Sequence, residues 1–222
     1  MAAACYQESL DLYRELDDEE GIARAIAELG GVAIAELDLD RAAALYEEAV
    51  PLFRGQEKPA RVAASLGNLG TIAHMRGDHE TAVRYYQEAI AVSRGAGDED
   101  GNAVNLHNLG RSEIQLGRTD EALDALRESL AIGRRLGYRE VIAYCLSGLS
   151  ELAFAEDVHE RSAQLLGAAE ELFRELGVAI DTGEAETQER IRSGLYDALG
   201  EARTDELRAA GAAARAEELA AS

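Results

Sequence analysis

Apolar residues recur three and four positions apart along almost the whole chain, the spacing of one face of a helix. Ile22, Ile26, Leu29 and Ala33 predict a helix over about residues 19–36. The next segments carry Ala42, Leu45, Tyr46, Ala49 and Phe53, then Val62, Leu66, Leu69 and Ile72, then Val83, Tyr86 and Ile90. The pattern continues through Leu106, Leu109 and Ile114, through Leu123, Leu126 and Leu130, through Tyr144, Leu149 and Leu152, and through Leu165, Leu166 and Phe173. Short polar or glycine breaks separate them: Asp17-Asp18, Asp38, Gly77-Asp78, Gly95-Ala96-Gly97, Gly117, Gly137 and Gly177. Expected N-caps are Asp17 or Asp18, Asp38 or Asp40, Asp78 and Thr119, with Asp157 to Glu160 reading as a capping-box-like start. Pro59 suits a first helical turn, where its missing N–H costs nothing.

These helices repeat in pairs. A Leu-Gly pair stands at Leu29-Gly30, Leu69-Gly70 and Leu109-Gly110, with Leu149-Ser150 in the fourth register, a period of 40 residues. Ala42, Ala82 and Ala122 keep the same period, with Ser162 fourth, and four residues on come Tyr46, Tyr86, Leu126 and Leu166. Arg14, Arg54, Arg94, Arg134 and Arg174 close successive units, where a cation meets the negative helix end. A fixed period of this size is the mark of a helical solenoid, each unit burying its face on its neighbours. After Gly177 the repeat decays: the fifth Leu-Gly position is Glu189-Arg190. Ile191, Leu195, Tyr196 and Leu199 make an amphipathic helix starting near Asp181, and Thr204 to Ala221 a last Ala- and Glu-rich one. The chain starts on what reads as a second helix without its first, so the array is expected to begin before residue 1 and residues 2–14 to expose an apolar edge.

The charge narrows the function. Lys and Arg number 22 against 43 Asp and Glu, a net charge of -21. Such a balance argues against direct nucleic-acid binding, which needs a basic face, and against an anionic membrane surface. No apolar run approaches the length of about 20 residues that spans a bilayer. Cys5 and Cys145 sit alone within helical patterns, so no disulfide framework follows and a reduced, cytoplasmic setting is expected.

The repeat resembles the tetratricopeptide repeat, on Leu69, Gly70, Gly77, Ala82, Tyr86 and Ala89, and on Leu109, Gly110, Gly117 and Ala122. The resemblance covers about residues 2–176 and implies an all-α fold: a right-handed α-solenoid of antiparallel helix pairs with a C-terminal capping pair. The units expected are a half-repeat at 1–16, repeats at 17–56, 57–96, 97–136 and 137–177, and capping helices at 178–222. It also implies that the first helix of each unit lines a concave groove. The family's groove positions fall at Asn68, Thr71, His74, His107, Asn108, Arg111, Ser147 and Glu151, with Arg24 and Tyr144 nearby. A side-chain amide both donates and accepts, so Asn68 and Asn108 suit the backbone of a bound peptide. The tail is similar to the C-terminal regions of large bacterial transcriptional regulators, on Ala163 to Glu170, Leu176-Gly177 and Ala198-Leu199-Gly200-Glu201. Those proteins join a DNA-binding domain and an ATPase module to a helical repeat sensor.

No catalytic constellation stands out. Gly95-Ala96-Gly97 precedes acids that would repel phosphate, and no Gly-Lys-Ser/Thr occurs. Neither His-x-x-x-His nor Cys-x-x-Cys is present, so no metal site is expected, and no cofactor is implied. The leading expectation is a non-enzymatic scaffold that holds a protein or peptide in the groove, the sensor or interaction region of a regulator. The alternatives are a small-molecule effector domain and a module that self-associates through its N-terminal edge.

Overall fold

A computed structural model describes residues 2–178, 180 and 182–214. Among the described residues the chain forms eleven α-helices and no strand. They are α1 (Ala2–Glu15), α2 (Glu19–Ala35), α3 (Leu39–Gly55), α4 (Pro59–Met75), α5 (His79–Ala96), α6 (Glu99–Gln115), α7 (Thr119–Leu136), α8 (Arg139–Ala155), α9 (His159–Leu176), α10 (Thr182–Leu199) and α11 (Glu201–Ala213). The all-α class expected from the repeat is what the structure shows, with successive helices packed in adjacent pairs.

One backbone device makes every joint from α1 to α9. Asp17, Leu37, Glu57, Gly77, Gly97, Gly117, Gly137, Asp157 and Gly177 all have positive φ, one every 20 residues. At all of them but Gly177 the next N–H donates to the carbonyl five residues back: Asp18 to Tyr13, Asp38 to Ala33, Asp78 to Ala73, Val158 to Ala153. This is the 6→1 bond of a Schellman closure. That same donor residue is the N-cap of the following helix. Asp18, Asp38 and Asp78 also use their carboxylates there, accepting from Gly21, Arg41 and Thr81. Two expected caps are corrected. Arg118, not Thr119, is the N-cap of α7, and Val158 rather than a capping box opens α9; neither makes a side-chain cap bond. The left-handed joint sets where the helix starts, whatever side chain follows it.

Pro59 occupies the first turn of α4 as expected. Pro51 lies inside α3, where it has no N–H to give the Glu47 carbonyl. The expected helix start at Asp181 and the extension of the last helix to Ala221 lie outside the described residues.

The chain divides into two compact units, residues 1–112 and 113–222. In the first, α1 packs on α2, α2 on α3, α3 on α4 and α4 on α5. Its core joins Ile26, Leu29, Ala33, Tyr46, Phe53, Val62, Leu66, Leu69 and Ile72. The Leu-Gly pair has a steric cause here. A Cβ on Gly30 would lie 2.8 Å from the Tyr46 ring, and one on Gly70 would lie 2.7 Å from that of Tyr86. Only glycine lets the second helix of a pair seat its tyrosine flat on the first. At the start of this unit Leu10 is buried, while Leu12 on α1 and Leu16 in the turn after it stay exposed.

In the second unit α7 packs on α8, and α8 on α9. Its C-terminal part departs from the pairing above. α11 lies directly against α9, at a crossing so close that a Cβ on Gly167 would be 2.0 Å from the Arg208 carbonyl oxygen. The reciprocal Cβ on Gly211 would be 1.9 Å from that of Gln164. α10 touches α8, α9 and α11, and Ile191 and Leu195 join Ala163, Leu166 and Leu207 in a small cluster.

Candidate functional site

The candidate face lies in the first unit, on α4 and α6. The Leu69-Gly70 contact with α5 fixes the rotation of α4, which leaves Asn68 half-buried at the helix surface. Asn108 holds the matching position on α6 and is also half-buried. Among the described residues neither side-chain amide has a hydrogen-bond partner within the chain.

Thr71 is tied to the packing. Its hydroxyl donates to the Gly67 carbonyl at 3.1 Å and lies 3.1 Å from the Tyr86 phenol oxygen, within hydrogen-bond reach. Burial pushes the Tyr86 phenol up to about 12, against the opposing Thr71 bond and the nearby positive charge of Arg111. Arg111 itself is half-buried, one turn along α6 from Asn108. The His74 ring bonds the Ser112 hydroxyl through Nδ1 at 2.9 Å and meets His79 edge-on, ring centres 4.8 Å apart. Asn105, on the buried side of α6, donates to the Gly101 carbonyl at 2.8 Å, and its side chain fills the space that a Cβ on Gly67 would need. Asn105 and Ser112 thus fix the approach of α6 to α4. Both are read as ordinary polar residues in the sequence; their one signal is a spacing of 38 from Gly67 and His74.

Five of the expected groove residues make contacts of their own or are covered. His107 is only 7% exposed, turned into the first unit rather than toward a ligand. Arg24 is exposed but engaged: it donates to the Tyr13 hydroxyl at 2.7 Å, with its guanidinium 5.5 Å above that ring. In the second unit Ser147 and Glu151 are buried because α10 covers them. The Ser147 hydroxyl donates to the Glu184 carboxylate, and Arg190 donates to Glu151. Tyr144 is half-buried, edge-on to Phe173 at 4.9 Å. Asn68, Asn108 and Arg111 are left as the polar set of the α4–α6 face, with Thr71 and His74 fixed behind them.

Of the two thiols, Cys5 is exposed and Cys145 is built into the packing. Burial pushes the Cys145 thiol up to about 12, and it donates to the Ser129 hydroxyl at 3.2 Å. A thiol so held has almost no thiolate to act as a nucleophile. Among the described residues no group of three or more His, Cys, Asp or Glu is placed to hold a metal ion. No helix among them is long and apolar enough to cross a membrane.

Helix pairs in series, with side chains presented from one face, define a repeat scaffold. Residues 61–135 match the family model of the tetratricopeptide repeat. Repeats of this kind serve in general as non-catalytic, protein-interaction scaffolds. No curated protein matches the chain. Among solved structures it is similar to BtubC (BKLC) from P. vanneervenii, with TM-score 0.70 and 22% identity over 99% of this chain and 90% of that one. It is similar to the apo form of RapI, with TM-score 0.63 and 14% identity over 92% of this chain and 77% of that one. Nearly identical TPR-like repeats from Podosopora anserina align at TM-score 0.61 and 16% identity, over 79% of this chain and 86% of that one. At these identities the likeness is one of fold.

Proposed function

We propose that this chain binds a partner peptide on the α4–α6 face of its first unit, as the interaction or sensor region of a signal-responsive bacterial regulator. The observation that carries the binding is the pair Asn68 and Asn108: two half-exposed amides at equivalent positions of successive repeats, without partners in the chain among the described residues. An amide matches a peptide unit as donor and acceptor at once, so the pair holds backbone and leaves side-chain reading to its neighbours. Arg111, one turn along α6 from Asn108, favours a peptide with a carboxylate or a backbone carbonyl at that end.

The test is a peptide array probed with the purified chain, followed by titration of the selected peptide. Asn68→Ala with Asn108→Ala should weaken binding by roughly tenfold or more, two lost hydrogen bonds of about 1 kcal/mol each. Unchanged affinity in a variant of undiminished helicity sinks this reading. The regulator context draws support from the resemblance of Ala163 to Glu170 and Ala198 to Glu201 to the ends of such proteins. A helix-turn-helix and a nucleotide-binding loop encoded in the same reading frame would support it, and a reading frame without them would overturn it.

A small-molecule effector is the second reading. It draws on a cavity of about 570 Å³ in the second unit, lined by Ile142, Ala168 and Leu172 with Arg139 and Glu175 at its rim. That size suits a drug-sized ligand. A metabolite panel that leaves the melting temperature unmoved would dismiss it, because a ligand bound only to the folded state must raise it.

A further inference from the structure

We propose that the binding face of the first unit extends onto α2, where Glu28, beside the Tyr46 hydroxyl, receives a lysine or arginine side chain of the bound peptide. The inference rests on the peptide reading of the α4–α6 face. It adds the chemistry of the peptide residue that lies beyond Asn68, on the side away from Arg111.

Glu28, Asn68 and Asn108 share one register, 40 residues apart, each just ahead of the Leu-Gly pair of its repeat. α2 is seated on α3 as α4 is seated on α5. A Cβ on Gly30 would lie 2.8 Å from the Tyr46 ring, and one on Gly70 would lie 2.7 Å from that of Tyr86. The same steric contact, two residues further on, sets the same rotation of both helices. Glu28 is therefore presented on α2 as Asn68 is on α4, and it is exposed.

The α2 position is built differently from the one on α4. On α4 the Thr71 hydroxyl lies 3.1 Å from the Tyr86 phenol oxygen, within hydrogen-bond reach. On α2 the position of Thr71 is taken by Gly31, where a Cβ would be 3.5 Å from the Tyr46 hydroxyl. With no side chain there, that hydroxyl has no hydrogen-bond partner among the described residues. The Glu28 charge is felt at it, adding to the burial that raises the phenol to about 12, so the group stays neutral. Its oxygen can accept from an ammonium or guanidinium N–H while Glu28 supplies the opposite charge.

Glu28 is not neutralised from within. Among the described residues it makes no ion pair and no hydrogen bond. Arg24 stands one turn back on α2, a spacing at which a pair could form. The Arg24 guanidinium is instead held toward α1, donating to the Tyr13 hydroxyl at 2.7 Å with its carbon 5.5 Å from the ring centre. A carboxylate on α2 and a guanidinium on α6 make the face electrically polar from one end to the other. Such a face favours a peptide with its cation at the α2 end, and so fixes its direction.

The test uses the full chain on an array of short peptides of varied sequence, followed by titration of the tightest binder. Peptides selected by the wild type should carry Lys or Arg at one fixed position. Glu28→Lys should exchange that preference for Asp or Glu at the same position. In the tightest peptide, norleucine in place of the cation should weaken binding about three- to fivefold at low salt, the range of an exposed ion pair. In Glu28→Gln the same replacement should cost almost nothing. In Tyr46→Phe the cost should fall, and an unchanged cost there overturns the part given to the phenol. Glu28 has no partner in the chain to lose, and circular dichroism checks that its variants keep the helices. Selections without a cation, or a cation that costs as much to replace in Glu28→Gln as in the wild type, overturn the proposal. They leave the peptide reading standing if Asn68→Ala with Asn108→Ala still weakens binding. A cation preference that follows Glu28 while loss of both amides changes nothing overturns the amide reading alone. An array on which the wild type binds no peptide overturns both.

Discussion

Ser150 and Ser162 exchange hydrogen bonds across α8 and α9: each hydroxyl donates to the other's backbone carbonyl at 2.9 Å. The corresponding pairs in earlier repeats are Gly30 with Ala42 and Gly70 with Ala82. The fourth repeat has replaced a contact of small residues by a polar clasp at zero exposure. Each buried hydroxyl has a backbone carbonyl of the facing helix as its partner, so burial leaves neither donor unsatisfied.

Removing the clasp should cost stability without changing the fold. Ser162→Ala and Ser150→Ala should each lower it by about 1 kcal/mol, and the double variant by about 2 kcal/mol or less. Chemical denaturation midpoints measure this. A double variant as stable as the wild type would show that the two bonds contribute nothing net.

The joints give a prediction of opposite sign. Leu37 is 70% exposed and held at φ 59, so its side chain gains nothing in return for a left-handed backbone. Leu37→Gly should stabilise the chain by about 1 kcal/mol, while Gly77→Ala, at φ 77, should destabilise it by a similar amount. Thermal melts of the two variants, shifted in opposite directions, are the check.

Gly211→Ala should be far harsher than Gly77→Ala. Open space surrounds Gly77, whereas the new methyl at position 211 would meet the Gln164 backbone, which cannot rotate away. Separating α9 from α11 should cost about 3 kcal/mol or more. Hydrogen exchange should then show α11 losing protection first, and a mild effect would mean that the two helices slide apart freely.

Alkaline pH should loosen the first unit. Burial raises the Tyr46 and Tyr86 phenols to about 12, with Glu28 adding to the rise at Tyr46. Their folded values lie above the unfolded value of about 10, so the stabilisation is complete below pH ~10 and is lost as pH rises through ~12. A stability profile that is flat near neutrality should fall in that window, and Tyr46→Phe should shrink the fall.

The architecture was legible because its causes are local or periodic. Gly30 under Tyr46 and Gly70 under Tyr86 are size constraints, and size constraints repeat visibly. Arg118 and Val158 as N-caps were not legible, since a left-handed residue before them, and no side chain of their own, starts the helix. The candidate site was read only in part. Asn68, Asn108 and Arg111 lie on the half-exposed surface of α4 and α6 as the register implies. Glu151 shares the register of Arg111 and Ser147 that of His107, and both are buried because Glu184 and Arg190 come from a helix whose own repeat signature has decayed. His107 is 7% exposed, and residue type alone does not say whether a histidine faces a groove or the packing.

The recurring joint also limits how this chain can change. One residue closes the outgoing helix with its N–H and opens the incoming helix as its cap, so there is no slack between the two. Inserting a single residue ahead of Asp38 or Asp78, without a new closure to absorb it, would turn the following helix by about 100° and carry its tyrosine off the waiting glycine. Whole helices or whole pairs can be added or lost with every contact remade; single residues cannot. The molecule is built to vary in length by modules and in sequence by surface, and to resist everything between.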